Sequence, residues 1–143
     1  MLHSAFITTA AALLAFAGLA QAGESLPQSE VGKASWQNGI HRTDLVRHDL
    51  EVPGYETIQA RVDIDPGVAS PRHSHPGAEV AHVLSGTFEY QLEGRAPIVL
   101  KAGDSLFIPA GTPHVAKNIG STTASELATY TVNKSKPLLK LEE

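Results

Sequence analysis

The sequence predicts an all-β barrel or sandwich, and three observations carry that expectation. From Ile40 onward the chain breaks into short apolar runs punctuated by Gly, Pro, Asn and Asp, with turn signals about every eight to twelve residues. Several of these runs alternate apolar and polar residues with a period of two, as a strand does when one face meets a core. No later stretch sustains the 3.6-residue amphipathicity of a helix. At 143 residues the chain has room for one domain with a substantial core.

Residues 1–22 read as a secretory signal. Ala10–Ala20 is an apolar run, and Ala20-Gln21-Ala22 fits a small-x-small cleavage site before Gly23. The segment before the run has no Lys or Arg, which departs from the usual signal pattern. The run is short for a membrane span of about 20 apolar residues. The expectation is an exported protein, periplasmic or secreted, with no membrane partner once the leader is removed. Residues 23–39 are polar and rich in Ser, Gly and Gln, and read as a flexible arm. Its Trp36, the only tryptophan, is expected against the barrel exterior or a partner subunit.

Residues 40–134 are expected to form the barrel. Ile40–Leu50 is a weak strand candidate. Thr57–Ile64 alternates cleanly, with Ile58, Ala60, Val62 and Ile64 on one face, before Asp65-Pro66-Gly67 turns the chain. Val80–Leu84 is largely apolar. Phe88, Tyr90 and Leu92 alternate with Glu89, Gln91 and Glu93, and Ile98–Leu100, Ser105–Ile108, Val115–Ile119 and Leu127–Val132 complete the strand set. Residues 135–143 read as a C-terminal tail.

Charge and cysteine content narrow the function. A net charge of −4 without a basic run gives no footprint for nucleic acid or an anionic membrane. The absence of cysteine excludes disulfides and thiolate metal sites.

The candidate chemistry lies in His73, His75, Glu79 and His114. Two residues apart on an extended strand, His73 and His75 point to one face. Pro76-Gly77 is expected to turn the chain back beside that strand and present Glu79. His114 follows the stiff Pro109–Pro113 connection. Three imidazoles and one carboxylate suit a single divalent transition metal and leave coordination positions open for substrate or O₂. Strand parity turns His82 and Arg72 away from this face, and His41 and His48 read as surface residues. Asn118, four residues after His114, is expected to serve barrel hydrogen bonding. The same parity lines the pocket with Ala81, Val83, Phe88, Tyr90, Phe107 and Ala116. Tyr90 is the polar handle for substrate contact or acid/base work, and no second inward carboxylate or histidine stands out. Chemistry is therefore expected to centre on the metal, with Glu79 doubling as base.

Written as patterns, Gly67-x5-His73-x-His75-x3-Glu79-x6-Gly86 and Gly103-x5-Pro109-x-Gly111-x2-His114-x3-Asn118 resemble the two cupin motifs with every fixed position filled. Residues 87–102 separate them, a short spacer of the kind small bacterial cupins carry. The resemblance implies a cupin β-barrel (a double-stranded β-helix, jelly-roll-like), metal binding at the four residues above, and commonly a homodimer. It does not imply one reaction. Dioxygenase-type oxidation of a small organic molecule leads the expectations. A non-catalytic protein binding metal or a sugar-like ligand, or a metal-dependent isomerase or lyase, stands behind it. The metal is Fe, Mn, Ni, Cu or Zn. Assembly outside the cytoplasm would favour Cu, Zn or Ni at least as readily as Fe or Mn, by the Irving–Williams order.

Overall fold

The computed structural model describes residues 38–143. The expected signal segment 1–22 and the arm with Trp36, apart from the arm's last two residues, lie outside the described residues.

The described chain is all-β. Its strands in order are β1 (Ile40–Asp49), β2 (Tyr55–Ile64), β3 (His73–Ser74), β4 (Ala78–Ser85), β5 (Thr87–Leu92), β6 (Ile98–Lys101), β7 (Ser105–Ile108), β8 (His114–Asn118), β9 (Ala124–Asn133) and β10 (Lys140–Leu141). They form two antiparallel sheets, ordered β1-β2-β9-β4-β7 and β10-β3-β8-β5-β6.

Period-two alternation decides which side chains enter the interior. On β2, Ile58, Ala60 and Ile64 are buried while Arg61 between them is exposed. Phe88, Tyr90 and Leu92 do the same on β5. The main core takes Ile64, Ala81 and Val83 from the first sheet and Phe88, Leu92 and Ala116 from the second, so it lies between the two. Asn118 is fully buried and knits this core to its loops. Its amide donates to the carbonyls of Ile64 and Thr122, both at 2.8 Å, and its oxygen accepts from the Gly120 N–H at 2.8 Å.

Two features of the path differ from the sequence expectation. Pro76-Gly77 does not fold the chain back beside β3. It carries the chain from the second sheet into β4 of the first, because β3 pairs with β8 and β10 while β4 pairs with β7 and β9. The crossing is tight: a Cβ on Gly77 would lie 2.0 Å from the Thr131 carbonyl oxygen. The segment read as a tail contains a strand, β10, which pairs with β3 at Lys140↔Ser74 and Leu141↔His73.

Candidate metal centre

β3 and β8 set the first two imidazoles face to face, because His73 and His114 are direct Cα partners across the antiparallel pair. Their ring centroids are 4.3 Å apart, and His75, just past the end of β3, lies 5.0 Å from His73 and 5.4 Å from His114. One ligating nitrogen from each ring falls within 4.8 Å of the others, and all three residues are buried. Glu79 on β4 closes the group from the other sheet. Its Oε2 lies 3.1 Å from His75 Nε2 and 3.4 Å from His114 Nε2.

The opposite edge of each ring is fixed by the main chain. Nδ1 of His73 lies 2.8 Å from the Pro71 carbonyl, Nδ1 of His114 2.9 Å from that of Thr112, and Nδ1 of His75 2.6 Å from that of Leu138. A carbonyl only accepts, so each Nδ1 carries the proton, and in the neutral ring the Nε2 lone pair is left bare. The bare edges of His75 and His114 turn toward the Glu79 carboxylate.

This arrangement tests whether a metal suits the site. His75 Nε2 and Glu79 Oε2 are buried without a hydrogen-bond partner among the described residues, although they are close together. An anionic oxygen against an imidazole lone pair is repulsive unless a cation or an added proton lies between them. Burial and the neighbouring charges of His114 and His75 push His73 down to about 4, against the pull of the Pro71 carbonyl and Glu79. Burial alone would raise the Glu79 carboxyl, but an added proton on His114 and His75, donated to it at Nε2, outweighs burial and holds the group down at about 2. A low-lying carboxylate, a ring that resists protonation and orphaned lone pairs form a donor set that fits a divalent nitrogen/oxygen-ligated metal.

The four side chains open onto a cavity of about 310 Å³, at the small end of the ~300–1,000 Å³ typical of ligand sites. Tyr90 and Ala116 line it as strand parity predicts. Ala81, Val83 and Phe88 are buried in the core behind its wall. Phe107 is corrected outright: it is 58% exposed. The Glu79↔Ile108 pairing turns Ile108 inward, and the neighbouring Val80↔Phe107 pair faces out. His82 is also turned outward, 2.8 Å from the Ser105 hydroxyl, and Arg72 pairs with Glu93 at 2.7 Å. His48 is exposed, whereas His41 borders the cavity mouth.

Sequence reasoning missed a second inward carboxylate, Glu126, which lines the cavity with Tyr130, Arg42, Leu138 and Leu139. The signal is present: counting back by twos from Val132 through Tyr130 and Ala128 reaches Glu126, one residue before Leu127, where the expected strand begins. The Tyr90 hydroxyl donates to Glu126 Oε2. Burial, reinforced by the Glu79 charge and partly offset by the Tyr90 hydrogen bond, pushes the Glu126 carboxyl up to about 8. Tyr130 stacks edge-on against His75 with centroids 4.7 Å apart. Its hydroxyl accepts from Arg42 Nη1 at 3.4 Å, and the guanidinium sits 5.3 Å from the ring centroid.

Comparison with known proteins agrees with this picture. Residues 60–130 match the family described as a cupin domain. Oxalate oxidase GF-3.8 of Triticum aestivum is 34% identical over 108 residues, covering 68% of this chain and 47% of the relative. Dimethylsulfoniopropionate lyase DddQ of Ruegeria pomeroyi is 39% identical over 51 residues, covering 36% of this chain and 25% of the relative. The chain thus spans half or less of the length of these curated relatives. Among solved structures, a cupin-like protein from Thermotoga maritima superposes with a TM-score of 0.63 at 25% identity, covering 72% of this chain and 75% of that one. An oxalate oxidase in complex with the substrate analogue glycolate gives a TM-score of 0.60 at 28% identity, with coverage of 87% and 67%. By family match and by fold, this chain carries a cupin domain.

Proposed function

We propose that this protein holds one divalent metal at His73, His75, His114 and Glu79 and catalyses O₂-dependent, dioxygenase-type oxidation of a small organic carboxylate. The observation that carries this reading is the convergence of three Nδ1-anchored histidines and a buried carboxylate on one small cavity. When bound, any of the candidate metals would supply a Lewis acid, and a redox-active one such as Cu, Fe or Mn would also supply a redox centre for substrate and O₂. The chain's own residues do the rest. The carbonyls of Pro71, Thr112 and Leu138 hold the ring tautomers, and Arg42, whose Nε is paired with Asp44 at 2.8 Å, brings the Nη1 side of its guanidinium to the cavity wall beside Tyr130. Glu79 is the base nearest the site, and Tyr90 is the candidate substrate contact. Small carboxylates are favoured because two relatives are named oxalate oxidases, one of them with glycolate bound.

Elemental analysis of the native protein beside a His73→Ala, His114→Ala double variant tests the metal site. About one metal per chain in the first and none in the second is the expected result, with Cu, Zn or Ni found at least as readily as Fe or Mn. Oxygen uptake with oxalate, glycolate, enediols, flavonols and catechols tests the reaction, and the absence of uptake by every metal-loaded form would exclude oxidation.

A specific observation favours a second reading, metal-dependent lyase or isomerase chemistry. Glu126, Tyr90 and Tyr130 provide the internal acid/base groups that such reactions need, and part of the chain resembles a lyase. Product formed under anaerobic conditions would identify it. Tight ligand binding without turnover would instead mark a binding protein. We also propose export to the periplasm or beyond, from the residues 1–22 pattern. A homodimer is proposed because edge strand β1 exposes Leu45 and Val46. Signal cleavage in the host and light scattering test these two points.

A further inference from the structure

The cavity is polar in two places. Across the first sheet, Glu79 pairs with Tyr130, Ala81 with Ala128, and Val83 with Glu126. Glu126 therefore lies two inward-facing rows from Glu79, about 13 Å along the strand at ~3.3 Å per residue. The row between is Ala60, Ala128 and Ala81, whose methyl groups reach least into the interior. Tyr90 comes from the facing sheet, beside Ala116.

Glu126 is 5% exposed and Tyr90 1% exposed, yet both line the cavity. One Glu126 oxygen accepts the Tyr90 hydroxyl, the one hydrogen bond to this carboxyl among the described residues, and the other oxygen is not among the fully enclosed unpartnered atoms, consistent with its place on the cavity wall. A carboxyl group has more hydrogen-bonding capacity than that single contact fills. Burying such a group with capacity unmet is costly unless a ligand or solvent completes it.

We propose that Glu126 and Tyr90 form a second recognition pole of the cavity, hydrogen-bonding an oxygen acceptor at the end of the ligand remote from the histidines. The inference rests on the proposed function, which places a carboxylate at the metal end. With its carboxyl raised to about 8, Glu126 is uncharged near neutral pH and offers an O–H, while Tyr90 holds the other oxygen in place. The ligand class is therefore a short carboxylate bearing an uncharged carbonyl or amide oxygen at its far end. A purely aliphatic acid leaves the pole unsatisfied.

The test uses full-length protein loaded with Co²⁺, whose visible absorption reports a carboxylate entering the metal site. Malonamate, succinamate and glutaramate are titrated against methyl-ended monocarboxylates of equal chain length. The amide of fitting length is expected to bind about fivefold to tenfold more tightly than its partner, the range of one neutral hydrogen bond. Glu126→Leu should bring the pair within about twofold, and an unchanged Co²⁺ stoichiometry in the variant shows that the site is folded. Glu126→Gln, which keeps an uncharged donor, should retain the preference. Equal binding of the two series by the native protein, or a preference that survives Glu126→Leu, would overturn the pole. So would a protein that binds Co²⁺ but shows no spectral response to any of the acids. Failure to bind Co²⁺ at all would instead overturn the metal-site reading, and this inference with it.

Discussion

The ring of His75 is held from 63 residues away: its Nδ1 meets the carbonyl oxygen of Leu138 at 2.6 Å. His73 and His114 use carbonyls only two residues upstream, so their orientation is local. That of His75 depends on the chain's last segment lying along β3. This segment is pinned by the β10–β3 pairing, by the Ser74 hydroxyl donating to Glu142 at 2.6 Å, and by the Glu142 N–H donating to the Arg72 carbonyl at 3.0 Å.

Removing residues 136–143 should therefore weaken the metal site while leaving both sheets largely in place. Loss of a partner that orients a ligand typically costs about 10-fold to 100-fold in metal affinity. Competition with a chelator, alongside far-UV circular dichroism, measures the two effects separately. Unchanged affinity would show that the Leu138 carbonyl is dispensable.

Gly77 stands between His75 and Glu79, where a Cβ would meet the Thr131 carbonyl oxygen at 2.0 Å and Val132 Cα at 2.8 Å. Both obstacles are backbone of the neighbouring strand β9 and cannot rotate aside. Gly77→Ala should destabilise the protein by about 2–3 kcal/mol, as overpacking does. It should also lower metal affinity, because β4 must shift and carry Glu79 with it. Denaturant unfolding and metal titration check the two consequences.

Asn118→Ala would strip the buried Ile64 carbonyl, the half-buried Gly120 N–H and the carbonyl of the exposed Thr122 of their shared partner. With one buried carbonyl left unpaired, a loss of about 1–3 kcal/mol is expected in equilibrium unfolding. Metal stoichiometry should be unchanged at temperatures where the variant remains folded, since Asn118 bonds the loops and not the histidines.

The stability of metal-free protein should have a plateau in pH. His73 falls from 6.5 to about 4 on folding, so its contribution is complete above 6.5 and is lost as pH drops toward 4. Glu79 falls from 4.5 to about 2, and its contribution is lost between those values. Glu126 rises from 4.5 to about 8, so its contribution is complete below 4.5 and is lost as pH rises toward 8. Between 4.5 and 6.5 the His73 and Glu126 effects oppose each other and nearly cancel. Stability should then decline on either side, by about 1 kcal/mol per pH unit for each group involved. Glu126→Gln should flatten the alkaline limb and, with the opposing effect removed, turn the plateau into a slope so that stability declines from about 6.5 downward. Unfolding midpoints across pH 3.5–9 decide it.

How much of this was legible in the sequence follows from the range of each interaction. The His73-x-His75 spacing, the Gly67 and Gly103 turns with φ of 74° and 95°, and the outward aim of His82 are set by residues close in the chain. Period and turn chemistry reveal them. Phe107 is misplaced because its face depends on how β7 registers against β4, which sets Ile108 opposite Glu79 on the inside, and the unbroken apolar run Leu106–Ile108 has no alternation of its own to reveal that. Leu138 carries no local mark of its contact with His75. Glu126 was recoverable, but a single acidic residue at the edge of an apolar alternation reads as a strand end unless the count is carried one step further.

Main-chain oxygens, rather than side chains, hold all three imidazoles in their tautomers. No point substitution can delete such an oxygen, so the anchoring hardware survives replacement of almost any neighbouring side chain. The walls facing the ligand have no such protection. A lineage built on this scaffold can accordingly exchange one substrate for another while its ion-gripping core persists, and its vulnerability is concentrated in the few bends that steer the backbone.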